Sequence, residues 1–200
     1  MSYNLFMKNK CFFVSELLIY ITFIILDVLK LDSTYIKYAG ILLCLIYAIY
    51  NKKKNRSIAM FFTLIADYFL LVINKHYEIG LLSFIIVQIT YFYFLGNIDK
   101  AYFNMFLLIR GFIAIAGGLV LLLTNNLSLL NELVLIYFSN LLLNFIQAYI
   151  CGQKLFALGL LLFICCDICV GLHNINAALS LATFLMWIFY LPSQVLIVVS

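Results

Sequence analysis

Apolar blocks of about 20 residues, long enough to cross a bilayer as helices, follow one another from end to end of this chain. The polar breaks between them are too short to fold into anything of their own. Of the 200 residues 67% are hydrophobic and 10% charged, with a mean hydropathy of +1.16. A soluble domain of this length needs far more polar surface. The pattern predicts an all-α, polytopic transmembrane bundle of eight helices, forming a single integral-membrane domain over residues 1–200. The spans fall at residues 11–29, 34–50, 57–74, 79–95, 101–123, 130–150, 155–172 and 178–199. The first block is too long for a cleavable leader and lacks a small-residue cleavage site after it.

Basic residues orient the bundle. With the N-terminus inside, the inner segments carry Lys8, Lys10, Lys52, Lys53, Lys54, Arg56, Lys100 and Lys154, and the outer segments carry Lys30, Lys37 and Lys75. Eight against three places both termini on the cytoplasmic side. The loop NKKKNR contributes most of that bias and reads as a topology anchor. The net charge of +4 is explained by this asymmetry and implies no nucleic-acid partner. An integral, multi-pass location in the cell membrane follows, with the lipid bilayer as solvent.

Six cysteines are present. Cys44, Cys165, Cys166 and Cys169 lie inside apolar blocks, where a thiol behaves as a small hydrophobe. The CxxC spacing of Cys166 and Cys169 lacks the loop that redox motifs use. His76 and His173 sit at outer loop ends without a ligand cluster, so no metal or other cofactor is expected. In span five Gly111, Ala114 and Gly118 share one side, which predicts close approach of another helix backbone.

The informative residues are polar ones within the apolar blocks. FFTLIADYFLLVIN carries Asp67 near its middle, and LLFICCDICVGL repeats the arrangement with Asp167. A carboxylate at that depth costs about 2.5–3.5 kcal/mol on insertion scales. Thr63, Asp67 and Asn74 fall on one face of span three. Tyr137, Asn140, Asn144 and Gln147 align on span six, and Ser180, Thr183, Trp187, Tyr190 and Gln194 on span eight. Span one aligns Glu16, Tyr20 and Asp27, of which Glu16 and Asp27 lie towards the span ends and read as structural. Such faces must turn towards the bundle interior. At a rise of about 1.5 Å per residue, Asp67 stands about 15 Å and Asp167 about 18 Å from the cytoplasmic ends of their helices. Gln88, Arg110 and Asn140 fall near the same layer, and Arg110 reads as a counter-charge for one of the acids. Spans three and seven run in the same direction, so their carboxyls can face one cavity. Two carboxyls sharing a dry space can divide into one acid and one carboxylate, the division that general acid–base catalysis uses. A proton-coupled transporter uses it equally.

The order of these pieces resembles the YhhN-type lysoplasmalogenase family of multispanning membrane enzymes. The matching stretches are YIKYAGILL with Lys37, FFTLIADYFLLV with Asp67, EIGLLSFIIVQITYFYF with Gly80, Gln88 and Tyr91, LGLLLFICCDICVGL with Asp167, and WIFYLPSQVLIVVS with Tyr190 and Gln194. The likeness covers nearly the whole chain. The family pattern has Gly where Ala66 precedes the first acid, commonly His at Gln88, and Pro where Tyr38 follows Lys37.

The resemblance implies an eight-helix hydrolase that cleaves the vinyl-ether bond of a lysoplasmalogen, a lysophospholipid, to a fatty aldehyde and a glycerophospho-base. Asp67 and Asp167 would be the catalytic pair. Lys37, Gln88, Asn140, Tyr190 and Gln194 would position the head group and water. A proton-coupled transporter, which favours broken helices near the midplane, fits less well a chain whose one proline is Pro192. Another lipid-modifying enzyme, or a non-catalytic relative, is the third reading.

Overall fold

A computed structural model describes residues 2–175 and 180–200. The described residues form eight α-helices and no strand: α1 (Ser2–Val28), α2 (Thr34–Tyr50), α3 (Lys54–Asp67), α4 (Tyr77–Ile98), α5 (Lys100–Leu123), α6 (Leu129–Ile150), α7 (Lys154–Ile175) and α8 (Ser180–Val199). A π-helical turn, Tyr68–Ile73, prolongs α3. Seven of these segments are long and apolar enough to cross a membrane, and α2, at 17 residues, is slightly shorter than the rest. The chain is a polytopic helical membrane protein. The expected start of the last span, at residue 178, lies outside the described residues, as does the side chain of Ser180.

Six helices close a ring in the order α2, α3, α4, α6, α7, α8 and back to α2. Helices α1 and α5 lie outside it, α1 against α2 and α5 chiefly against α6. The tightest contact joins α7 to α8, because Gly159 lets the α8 backbone approach. A Cβ added there would stand 2.8 Å from Ile197 Cγ1 and 3.1 Å from both Ile197 N and Ser193 O. The small-residue face of α5 behaves otherwise. Nothing lies within 4 Å of Gly111 or Gly118, so the expected backbone approach is absent. Gly117 instead receives Leu135 of α6.

The periphery also repairs defects in the ring. Pro192 lacks an N–H and so leaves the carbonyl of Ile188, one turn earlier in α8, without its helical donor. The Tyr20 hydroxyl of α1 donates to that carbonyl at 3.3 Å, as a backbone acceptor out of water requires. At the other end of α8, Lys53 Nζ donates to Val198 O at 3.2 Å and Val199 O at 2.7 Å, and Arg56 Nε to Ile197 O at 2.9 Å. These cations satisfy the terminal carbonyls that every helix leaves over. All six cysteines are free.

Alanine should separate the two kinds of glycine. Both substitutions gain about 0.8–1 kcal/mol of helix propensity. Gly111→Ala should therefore hold or raise the thermal unfolding midpoint in detergent, whereas Gly159→Ala, pressed on α8 backbone, should lower it.

Candidate functional site

Asp67 is the last α-helical residue of α3, and the π-helical turn begins immediately after it. Such turns often mark functional positions inside helices. The extra residue shifts the register beyond Asp67. Asn74 consequently leaves the face predicted for it, is exposed, and ends the segment at a left-handed φ of 52°. Thr63 stays on that face and is fully buried. Asp67 and Asp167 stand the same number of residues beyond Lys54 and Lys154, the first residues of their helices. At the α-helical rise this is about 20 Å for each, so the two carboxyls share a depth on opposite sides of the ring.

Each carboxyl is held by a tyrosine from a neighbouring helix. The Tyr190 hydroxyl of α8 meets both oxygens of Asp67, at 2.9 and 2.8 Å. The Tyr137 hydroxyl of α6 donates to Asp167 Oδ2 at 2.6 Å. Asp67 is 5% exposed, while Asp167 is half-buried. Phe163, one turn below Asp167 on α7, stands between the two tyrosines, with ring centroids 5.4 Å from Tyr190 and 6.4 Å from Tyr137. Phe84 of α4 closes on Tyr137 at 5.4 Å. One run of aromatic rings, Tyr190–Phe163–Tyr137–Phe84, thus links the two acids. Cys166, beside Asp167 on α7, is buried.

Lys37 lies beyond Trp187 on the Asp67 side of these rings. Its ammonium pairs with Asp27, at 2.8 Å to Oδ2 and 3.0 Å to Oδ1, and Ser33 adds a hydroxyl to the same carboxylate. The ammonium also stands 5.1 Å from the Trp187 ring and 5.5 Å from that of Phe23. Trp187 in turn meets Tyr190 edge-on at 5.2 Å. Lys37 therefore reaches the Asp67 side of the site through two aromatic rings. Thr183, expected on the same face of α8, is exposed and lies against His173.

Gln88 and Asn140 belong to a second polar cluster. Asn144 Nδ2 donates to the Gln88 carbonyl at 2.8 Å and to Gln88 Oε1 at 2.9 Å. Arg110 of α5 donates to Asn140 Oδ1 at 2.8 Å and to Asn144 Oδ1 at 2.6 Å, and its guanidinium covers the Phe92 ring at 3.9 Å. Arg110 thus enters the ring wall from outside and bonds to amides. It does not neutralise an acid as its depth suggested. Gln194 lies one turn below Tyr190, with Nε2 on Ser193 Oγ at 3.3 Å and Oε1 buried without a partner. Glu16 contacts the Cys44 thiol at 3.4 Å, on the α1 side of the ring. Among the described residues no group of three His, Cys, Asp or Glu side chains converges as a metal would require.

Tyr137, Phe163 and Cys166 are the site neighbours that sequence reasoning did not single out as functional. Tyr137 heads the polar stripe of α6, which was its available signal. Phe163 carried none, since nothing separates it from other apolar residues of α7.

Asn144 is the keystone of the amide cluster. Asn144→Leu removes partners from the Arg110 guanidinium and the Gln88 amide, and should cost about 3 kcal/mol, read as a lower thermal midpoint. Removing the stranded charge as well, in Arg110→Leu/Asn144→Leu, should recover part of that loss.

A model of the YhhN family matches residues 32–200. No curated protein and no solved structure matches the chain.

Proposed function

We propose, from the premise that the chain belongs to the YhhN family, that this lysoplasmalogenase-like membrane protein hydrolyses the vinyl-ether bond of lysoplasmalogens. The observation that carries the reading is the pair of carboxyls, each hydrogen-bonded to a tyrosine, with the two tyrosines joined through the Phe163 ring. Vinyl-ether cleavage proceeds without attack on a carbonyl, so it needs neither a serine nucleophile nor an oxyanion hole. It needs a proton for carbon, a way to carry a cation, and an activated water.

The residues match those demands. One aspartic acid protonates the enol-ether carbon remote from oxygen, and the double bond supplies the electron pair for the new C–H bond. The oxocarbenium ion so formed is stabilised by the ionised partner carboxylate, the same logic that serves glycosidases. That carboxylate then takes a proton from water as its oxygen adds to the cationic carbon. The hemiacetal collapses with a proton passing to the departing glycerol oxygen, which yields the aldehyde and the glycerophospho-base. Both carboxyls end as they began after one further proton exchange between them.

Tyr190 and Tyr137 fix the carboxyl orientations, and the rings of Phe163, Phe84 and Trp187 suit an alkenyl chain and a delocalised cation. Lys37, two aromatic rings from Asp67, is the cation assigned to the phosphate of the head group. Gln194, one turn from Tyr190 with a buried Oε1 left without a partner, is assigned to hold a water. Gln88 and Asn140 act one layer away, by keeping Arg110 and the α4–α6 wall in place.

Detergent-purified protein incubated with a lysoplasmalogen should release fatty aldehyde. Asp67→Asn and Asp167→Asn should each lower that rate by at least about 100-fold while retaining the thermal midpoint. Tyr190→Phe and Tyr137→Phe should lose less, about tenfold, because they orient the acids and do not transfer the proton. Full activity in either asparagine variant would overturn the assignment, and a wild type that cleaves an ester but no vinyl ether would redirect the substrate.

A further inference from the structure

An open pocket lies at the lysine-rich end of the ring, remote from the carboxyls. It is a cavity of about 310 Å³ lined by Lys53, Lys54, Asn55, Arg56, Phe94 and Ser200. No carboxylate side chain lines it. Among the described residues, none of these three cations forms an ion pair with an Asp or Glu side chain. Burial, and then the neighbouring Arg56 charge, pull the Lys53 ammonium below its ordinary pKa, as expected where cations crowd without an anion.

The backbone has the same sign. Lys54, Asn55 and Arg56 form the first turn of α3, which carries no acidic residue and no side-chain cap. The positive end of a 14-residue helix and its spare N–H groups therefore lie at the cavity without compensation. Such an end binds anions readily. By itself it would indicate little, but Arg56 adds an independent feature.

Arg56 is 4% exposed, an extreme degree of burial for a cation. Its guanidinium lies between the rings of Phe94 and Phe156, 3.8 and 4.3 Å from their centroids. Nε and Nη2 are committed to Ile197 O and to Ser200 Oγ, at 2.9 and 3.2 Å. Nη1 is buried and has no partner. A guanidinium nitrogen left over in a rigid sandwich costs free energy unless an acceptor reaches it. No side chain lining the pocket supplies that acceptor.

We propose that this cavity is an anion site that takes a phosphate group, separate from the carboxyl pair. A phosphate offers several charged oxygens to the Arg56 guanidinium, the Lys53 and Lys54 ammonium groups and the α3 N–H groups together. Arg56 precedes Asp67 by eleven residues on the same helix, about 16 Å at the α-helical rise. A glycerol unit is far too short to bridge that gap, so the phosphate held here does not belong to the lipid reacting at the carboxyls. The site lies where basic pockets between membrane helices meet lipid head groups at the cytoplasmic surface. Its phosphate comes from an anionic lipid of that leaflet or from solution. The inference does not depend on the vinyl-ether reading.

The test uses the full chain in phosphatidylcholine nanodiscs. Phosphatidic acid in one arm and inorganic phosphate in the other are titrated against the thermal midpoint, and native mass spectrometry counts retained lipid. Two variants avoid the structural duties of Arg56. Asn55→Asp places a carboxylate on the first turn of α3, which favours the helix but repels a phosphate. Lys54→Ala removes an exposed cation. Wild type should retain phosphatidic acid in preference to phosphatidylcholine, and Asn55→Asp should weaken that binding about tenfold, equivalent to 1.4 kcal/mol, with no loss of basal stability. Lys54→Ala should weaken it less. Protection by inorganic phosphate with the same sensitivity to Asn55→Asp would assign the site to a soluble phosphate. Binding untouched by both variants, or no response to either phosphate, would overturn the proposal.

Discussion

A carboxylate in hydrocarbon must find a donor, and Tyr190 supplies one to both oxygens of Asp67. That single contact ties α8 to α3 across residues 123 positions apart, and with the α8–α2 packing it closes the ring. Lipid offers little hydrophobic drive for helix association, so packing and interhelical hydrogen bonds carry it. Here the same hydroxyl that satisfies the acid also brings the helices into register. The second acid repeats the device between α7 and α6 through Tyr137. Site and scaffold are therefore one construction, and neither acid is free to drift.

The polar interior divides into three zones with different tasks. The acid pair and its aromatic rings occupy the middle. On the outer side Lys37 and Asp27 form an ion pair beside Trp187. Towards α5, Arg110 is balanced by amides and not by a carboxylate. This last arrangement leaves both aspartates without a neighbouring guanidinium, which would hold them ionised. Charge is thus kept out of the acid pair by sequestering it one layer away.

The eight segments and the buried acids could be read from the chain because both depend on local composition. About 20 apolar residues suffice to define a span, and Asp67 and Asp167 stand out against such a background. The polar stripe of α6 was equally legible, since Tyr137, Asn144 and Gln147 are all buried. What failed depended on neighbours. The face of Gly111 and Gly118 has the composition of a helix contact, but α5 lies outside the ring and turns that face outward. Arg110 had the depth of a counter-ion, yet α5 delivers it to Asn140 and Asn144. Asn74 fell out of line because a π-helical turn adds a residue that a 3.6-residue period does not count. Tyr20 looked like part of a polar stripe, and its partner is a carbonyl orphaned by Pro192, a pairing no periodicity encodes.

The widened turn after Asp67 divides the third transmembrane segment into two mechanically distinct pieces. Below it an ordinary α-helix carries the carboxyl on a shaft anchored by Arg56 between two rings. Above it the chain holds one residue of slack. Passing that slack along by a single position would swivel Tyr68 and Phe69 around the axis and leave the acid where it is. Slack of this kind lets the piece above the turn rotate while the carboxyl below it keeps its tyrosine.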